Sequence, residues 1–293
     1  MARAGRPESI CGLGATLGEG PVWLAGDDAL WLVDIKQARI HRFDPAAAAL
    51  RSWEAPAPVG WVMPAADGLM LAGLKTGVHL FDPTRGSFTP LVDPEPGRPG
   101  NRLNDAATDP AGRLWFGTMD DGEAEPAGRL YRLDGGRAVD SGLPPVTITN
   151  GPAFSPDGGT LYHTDTLGRI IWRVPVAADG VTLGRPTVFA RIEDDAGYPD
   201  GPTVDAEGCV WTGLFGGWAV RRYDPDGRLM RTIPFPVANI TKIAFGGEGL
   251  RTAYATTARK GLDAAALASQ PFAGDIFAFE PDVAGLPVVP AII

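Results

Sequence analysis

Two residue types that carry much enzyme chemistry are scarce in this sequence: 293 residues hold 2 cysteines and 3 histidines. Cys11 and Cys209 lie far apart with no CxxC spacing, which excludes a disulfide framework, a thiolate zinc site and a dithiol redox pair. Both read as isolated packing residues. His41, His79 and His163 lack ligand spacing, so a histidine-rich zinc centre is disfavoured. No apolar run approaches the roughly 18 residues of a membrane helix. The start, MARAGRPESI, carries positive charge without the apolar core of a secretory signal. The expectation is a cytoplasmic protein with no membrane contact. Positive charge is also short, with 26 Lys and Arg against 35 Asp and Glu and a formal charge of -9. No basic run breaks that background, so nucleic acid is not an expected partner. GxSxG, HExxH and P-loop motifs are absent, and the glycine pairs at 216–217 and 246–247 have no βαβ context for a dinucleotide site.

Glycine (39) and proline (28) are plentiful, and they cluster between short runs rich in aromatic and alternating residues, as an all-β chain with many tight turns requires. Helical patterning is confined to GLDAAALASQ at 261–270. A phrase recurs along the chain: a polar turn with Gly, a strand with an aromatic residue, a gap, a second strand and often Asp-Pro. Copies include LWLVDIKQARIHRFDP (30–45), LMLAGLKTGVHLFDP (69–83) and VWTGLFGGWAVRRYDPDG (210–227). Equivalent positions Trp31, Leu71, Trp115, Tyr162, Trp211 and Tyr254 are 40, 44, 47, 49 and 43 residues apart. That is the size of one four-stranded blade. The reading is therefore a single domain over 1–293, a six-bladed β-propeller of four-stranded antiparallel blades around a central metal-binding channel. Residues 1–13 are expected to be an N-terminal extension, and the segment at about 14–25 to supply the strand that closes the ring. A seven-bladed ring or a β-sandwich is the competing all-β architecture. His41 and His79 recur at matching places in the phrase and read as blade packing, while Trp115 and Trp211 read as core.

Most aspartates sit in DP or DG turns and need no catalytic explanation. Four stretches differ, because each places polar groups just upstream of a blade's apolar strand, where the chain approaches the axis. They are LGEGPVW (17–23) with Glu19, NRLND (101–105) with Asn101, Arg102, Asn104 and Asp105, TITNGPAFSPDG (147–158) with Asn150, and YPDGPTVDAEG (198–208) with Asp200. Taken singly, each is also read as an ordinary turn. Together they keep the repeat's phase, with 46 residues from Asn104 to Asn150 and 50 from Asn150 to Asp200. Equal phase in a propeller means equal radius and height, so Glu19, Asn104, Asn150 and Asp200 are expected to form a ring of oxygen donors. Two carboxylates with amide carbonyls suit a hard divalent cation completed by water, and the cation's charge relieves the cost of holding two carboxylates together.

These motifs, in this order and spacing, resemble those of the senescence-marker-protein-30, gluconolactonase and luciferin-regenerating-enzyme-like family over nearly the whole chain. LWLVDIKQARIH, GLKTG (73–77), YHTDTLGR (162–169) and TTARKGL (256–262) look most like bacterial xylonolactone and pentonolactone hydrolases. The resemblance implies a sugar 1,4- or 1,5-lactone substrate such as xylono-, arabinono-, galactono- or gluconolactone. It implies metal ligands at Glu19, Asn150 and Asp200, and substrate contacts at Arg102 and Asn104. It further implies one divalent ion among calcium, zinc, manganese and iron(II), with the xylonolactonase-like branch pointing to iron(II). Ala106 stands where the family often has Gly after NRxND.

On this reading the ion acts as a Lewis acid and Asp200 is the first choice as general base. Arg102 and Asn104 hold substrate oxygens. Met119, Asp120, Asp121, Tyr198, Phe215 and Trp218 are candidates for the channel mouth that sets sugar size, the aromatics being equally readable as packing. Arg259 and Lys260 read as solvated loop charges. The expected partner is a small sugar lactone, taken by a monomer or weak homodimer. The competing functions are a broader lactonase, esterase or organophosphate hydrolase on the same fold, and a noncatalytic calcium-stabilised binding propeller.

Overall fold

The computed structural model describes residues 5–293. Six four-stranded antiparallel sheets are present, and in five of them the strands run in chain order from the inside outward. Blade 1 is Gly18–Leu24, Ala29–Asp34, Arg39–Asp44 and Ala49–Glu54, and blades 2 to 5 repeat that plan from Val59, Asn101, Thr149 and Tyr198. Blade 6 takes Ile240–Gly246, Thr252–Thr257 and Ile276–Phe279 from the end of the chain and its outermost strand, Glu8–Cys11, from the beginning. The six-bladed propeller read from the repeat is the observed architecture.

The closing strand is a correction. It lies at Glu8–Cys11 rather than at 14–25, and Gly18–Leu24 is instead the innermost strand of blade 1. Of the expected extension, residues 1–4 lie outside the described residues. Residues 8–11 are paired with Ile276–Phe279, which covers an edge that would otherwise expose unpaired backbone groups. ESIC is only four residues long and lacks the aromatic-rich phrase, so the repeat could not flag it.

Blades pack face to face through aromatic contacts at every interface. Trp53 meets Phe81, Trp61 meets Phe116, Trp115 meets Phe154, Phe189 meets Tyr223, Trp211 meets Phe245 and Trp23 stacks on Tyr254, with ring centroids 5.4 to 6.2 Å apart. Such rings bury large apolar areas and favour edge or offset contacts. Trp115 and Trp211 are fully enclosed, as expected of core residues. Their indole N–H groups donate to the turn carboxylates Asp109 and Asp205 at 3.2 and 2.7 Å, and Trp31 does the same to Asp27 at 3.0 Å. Those aspartates tie a turn to the strand that follows it. His41 accepts its place in the same way, with Nδ1 2.7 Å from Ser52 Oγ, and His79 Nδ1 lies 3.1 Å from the Gly77 carbonyl. Both cysteines are free. The short helix forms at Ala264–Ser269, capped by Asp263, whose side chain accepts from the Ala266 N–H. Among the described residues, no helix is long and apolar enough to cross a membrane.

Candidate active site

Every innermost strand shifts register at the same height. The irregularities fall between Glu19 and Val22, Val59 and Trp61, Leu103 and Ala106, Asn150 and Ala153, Pro199 and Pro202, and Ile240 and Ile243. A bulge bends the strand and re-aims the side chain beside it. Glu19, Gly60, Asn104, Asn150, Asp200 and Thr241 occupy these six places. Gly60 leaves no room for a side chain, since a Cβ there would sit 2.5 Å from the Leu103 carbonyl oxygen. Thr241 commits its hydroxyl to the Gly18 carbonyl at 2.6 Å. The four remaining positions are the ring expected from the repeat.

Glu19, Asn104, Asn150 and Asp200 all line one cavity of about 220 Å³, together with Arg102, Met119, Tyr198 and Phe215. A larger cavity of about 350 Å³ opens at the other end of the axis, lined largely by prolines and aliphatic residues of the same innermost strands. Its buried carboxylate, Asp109, is spent on Arg113 and Trp115, so size does not identify the site.

Asn150 Oδ1 accepts from Asn104 Nδ2 at 3.0 Å, and Asn150 Nδ2 donates to Thr166 Oγ1 at 2.9 Å. These bonds turn the Asn150 carbonyl oxygen toward Asn104 and leave it a second lone pair. Asn104 Oδ1 in turn accepts from Arg102 Nη1 at 2.7 Å. Gly151, with φ 83°, allows the sharp turn after Asn150; an added Cβ would press on Pro202. Glu19 and Asp200 are buried, and among the described residues neither enters a salt bridge. Burial and then the charge of Asp105 push the Glu19 carboxyl up to about 7, against the opposing Gly20 N–H and the charges of Lys242 and Arg102. Burial, then the charges of Glu19 and Asp105, hold Asp200 well above the usual carboxylate range.

Two buried carboxylates whose ionisation is disfavoured by burial, beside amide oxygens, make a donor set that a cation would stabilise. Among the described residues there is no cluster of three or more His, Cys, Asp or Glu side chains poised for a metal. The candidate set differs from such clusters in drawing two carboxylates and an amide, an all-oxygen donor set that fits a hard divalent ion.

Asp121 does not line the cavity. It lies at the rim, where Arg102 Nε, Lys36 Nζ and Lys75 Nζ reach it at 3.1, 3.0 and 2.8 Å. Burial raises the Asp121 carboxyl, but the hydrogen bonds from Lys75 and Lys36 and the charge of Arg102 outweigh it and hold it far below the usual range. Asp120 is a turn former, accepting from the Gly122, Ala124 and Glu125 N–H groups. Trp218 is not among the cavity residues; it sits 45% exposed in a turn with φ 57°. Lys260 reverses its reading as a solvated charge, since it lines the cavity and pairs with Glu123. Arg259 stays outside, donating to the Ala273 carbonyl at 2.9 Å.

Sequence reasoning missed Lys242. Its Nζ lies 2.6 Å from Asp105 Oδ1, while Asp105 Oδ2 accepts the Gly151 N–H at 2.8 Å. The stem of Lys242 runs against Gly201, next to Asp200, where an added Cβ would stand 2.6 Å from Lys242 Cδ. The available signal was its place one residue past Thr241, at the phase of the polar ring in the sixth repeat.

The SMP-30/Gluconolactonase/LRE-like region matches residues 17–259. The chain is 37% identical to the L-arabinolactonase of Azospirillum brasilense, covering 97% of this chain and 94% of that protein. It is 34% identical to the 6-deoxy-6-sulfogluconolactonase of Pseudomonas putida, covering 92% and 93%. The crystal structure of a calcium-binding protein, regucalcin, from Agrobacterium tumefaciens strain C58 superposes with a TM-score of 0.94 at 30% identity, covering 99% of this chain and 98% of that one.

Proposed function

The chain belongs to the SMP-30/gluconolactonase/LRE-like family, and on that footing we propose that it hydrolyses a sugar lactone to the aldonic acid in the axial cavity, with one divalent cation held by Glu19, Asn150 and Asp200. The observation that carries the proposal is the buried pair Glu19 and Asp200, without salt-bridge partners among the described residues and both raised above the usual carboxylate range by burial, lining one cavity with the amides of Asn104 and Asn150. Names of relatives that act on arabinolactone and sulfogluconolactone support the substrate class. The calcium-binding structural neighbour supports a divalent ion.

A bound divalent cation supplies Lewis acidity toward the lactone carbonyl. The chain's own residues supply position and proton transfer. Arg102 is held by Asp121 and Asn104, so its guanidinium is preorganised to donate to substrate oxygens. Asp200 is the proposed general base. Its carboxylate takes a proton from water as the water oxygen bonds to C1, then returns it to the ring oxygen as the C1–O bond breaks. The product is the open-chain acid, whose own proton goes to solvent. Met119, Tyr198 and Phe215 bound the sugar, with Arg169 packed 4.0 Å over the Tyr198 ring to fix its plane.

The test is a steady-state assay on xylono-, arabinono-, galactono- and gluconolactone, using metal-stripped protein reloaded separately with iron(II), manganese, zinc or calcium. Hydrolysis above the spontaneous rate that depends on one of these ions is expected. Equal rates with and without every ion would sink the metal-dependent mechanism.

A further inference from the structure

Lys260 and Glu123 line the same cavity as Glu19, Asn150 and Asp200, and their ion pair has no part in the chemistry proposed for it. We propose that this pair is a bar across the mouth of the lactone site and that the two residues determine its specificity. The lactone of a single sugar fits beneath the bar, and one carrying a second sugar at the end remote from its carbonyl has to break it. The inference rests on the lactonase reading and deepens it.

The pair joins opposite sides of the ring. Glu123 lies between the second and third strands of blade 3, Leu114–Asp120 and Leu130–Asp134, and Lys260 between those of blade 6, Thr252–Thr257 and Ile276–Phe279. The innermost strands pack in chain order and the sixth packs on the first, so two blades separate blade 3 from blade 6 in either direction. A contact between them therefore crosses the axis. Its height follows from strand pairing. Asp120 stands opposite Asn101 and Thr257 opposite Ile240, so both loops leave their sheets at the end where the innermost strands begin, the end of Glu19 and Asn104. Glu19, Asn150 and Asp200 are buried, whereas the side chains of Lys260 and Glu123 are 32% and 31% exposed. The pair thus stands between the proposed ligands and solvent. The charge of Lys260 is felt at Asp200, where it opposes burial and the charges of Glu19 and Asp105.

Both ends of the bar are fixed. The Lys260 N–H donates to the Thr16 carbonyl at 2.9 Å, and the Lys260 carbonyl accepts from Asn239 Nδ2 at 3.0 Å. Glu123 has φ 58°, a left-handed conformation that is costly for a residue with a Cβ and persists where the surroundings over-determine it. Asp120 supplies that constraint. Its carbonyl accepts the Glu123 N–H at 3.0 Å, and its carboxylate accepts the N–H groups of Gly122, Ala124 and Glu125. Asp121 moors the same loop to blades 1 and 2 through Lys36 and Lys75 at 3.0 and 2.8 Å. Among the described residues, Lys260 Nζ and the Glu123 carboxylate have only each other as side-chain partners. An ion pair so exposed is weak, so the bar yields to a longer ligand at a cost in affinity.

The experiment compares kcat/KM for D-glucono-1,5-lactone and lactobiono-1,5-lactone with the ion that gives activity. Both are neutral and share the reacting ring, and the second carries a galactosyl group on O4. Wild type is set beside Lys260→Glu, Glu123→Lys and the exchanged pair Lys260→Glu/Glu123→Lys. Wild type is expected to favour the single sugar. Each single variant sets like charges against each other, and the preference should narrow at least about fivefold, the scale of one partly exposed ion pair. The exchanged pair should restore it. General damage to the fold slows both lactones alike and leaves the ratio unmoved. Equal kcat/KM for the two lactones in wild type, single variants with the wild-type ratio, or an exchange that restores nothing each overturns the inference and leaves the lactonase reading standing. If neither lactone is hydrolysed, the lactonase reading stands or falls on the full set of lactones above, and calorimetry with D-gluconate and lactobionate decides for the bar. Tighter gluconate binding that moves toward parity in the single variants and returns on exchange supports it, and any other pattern overturns it.

Discussion

Lys242 and Asp105 form an ion pair of 2.6 Å inside the propeller's axis, with side chains only 7% and 1% exposed. The pair lies behind the candidate ligands and touches two of them through the backbone. Asp105 holds the N–H of Gly151, next to Asn150, and the stem of Lys242 fills the space that Gly201, next to Asp200, leaves open. Removing one partner of a buried pair strands the other charge, which costs roughly 3–5 kcal/mol. Lys242→Met is expected to lose stability on that scale in urea unfolding. Lys242→Met/Asp105→Asn should recover much of the loss, because no uncompensated charge remains. A double variant as unstable as the sum of the singles would show that the pair is not coupled.

Glu19→Gln and Asp200→Asn each delete one of the carboxylates proposed to hold the ion. Both variants are expected to fold, to lose at least about a hundredfold in lactone hydrolysis, corresponding to several kcal/mol of lost charge stabilisation, and to lose the rise in melting temperature on adding metal. For a ligand at 100 times its Kd that rise corresponds to about 2.7 kcal/mol. Thermal scans with and without the activating ion provide the check. A full metal-induced rise in both variants would place the ion elsewhere.

The raised pKa values of Glu19 and Asp200 give the metal-free protein a particular pH dependence. Glu19 moves from 4.5 to about 7, and Asp200 moves in the same direction. Since the folded state binds these protons more tightly than the unfolded chain, the contribution to stability is fully present below about pH 4.5. It is lost as pH rises through 7. In chelator, stability should therefore fall between pH 5 and 8, and the gap between metal-loaded and metal-free protein should widen over the same interval. A gap independent of pH would contradict the assigned ligands.

His163 works in the opposite sense. Burial alone lowers its pKa from 6.5 to about 4, and its Nδ1 has no hydrogen-bond partner. A folded-state pKa below the unfolded value contributes stability above pH 6.5 that drains away as pH falls through 4, roughly 3 kcal/mol in all. Urea midpoints of wild type should drop across that range with or without metal. His163→Gln should flatten the drop, and an unchanged acid limb in that variant would assign the acid sensitivity to other groups such as His41.

Much of the architecture was legible because a propeller repeats. Trp31, Leu71, Trp115, Tyr162, Trp211 and Tyr254 mark six blades, and equal phase along six similar units translates directly into equal position around an axis. The same rule brought Glu19, Asn104, Asn150 and Asp200 into one cavity. It was weaker where phase gives place but not direction. Asp120 and Asp121 are neighbours, yet the first folds back onto its own turn and the second faces three cations. Trp218 follows a glycine pair at the rim and points away, while Lys260, in a loop with no apolar pattern, turns into the cavity.

The linear sequence by itself determined the all-β class, the blade count and the polar ring, since each follows from local periodicity and turn chemistry. Only the tertiary structure decided that Glu8–Cys11 completes the sixth blade, that Lys242 reaches Asp105 across 137 residues, and that Lys36, Lys75 and Arg102 share Asp121. Those contacts join different blades or opposite ends of the chain, and the side-chain directions that make them are set by bulges and by the closure of the ring, which no single repeat encodes.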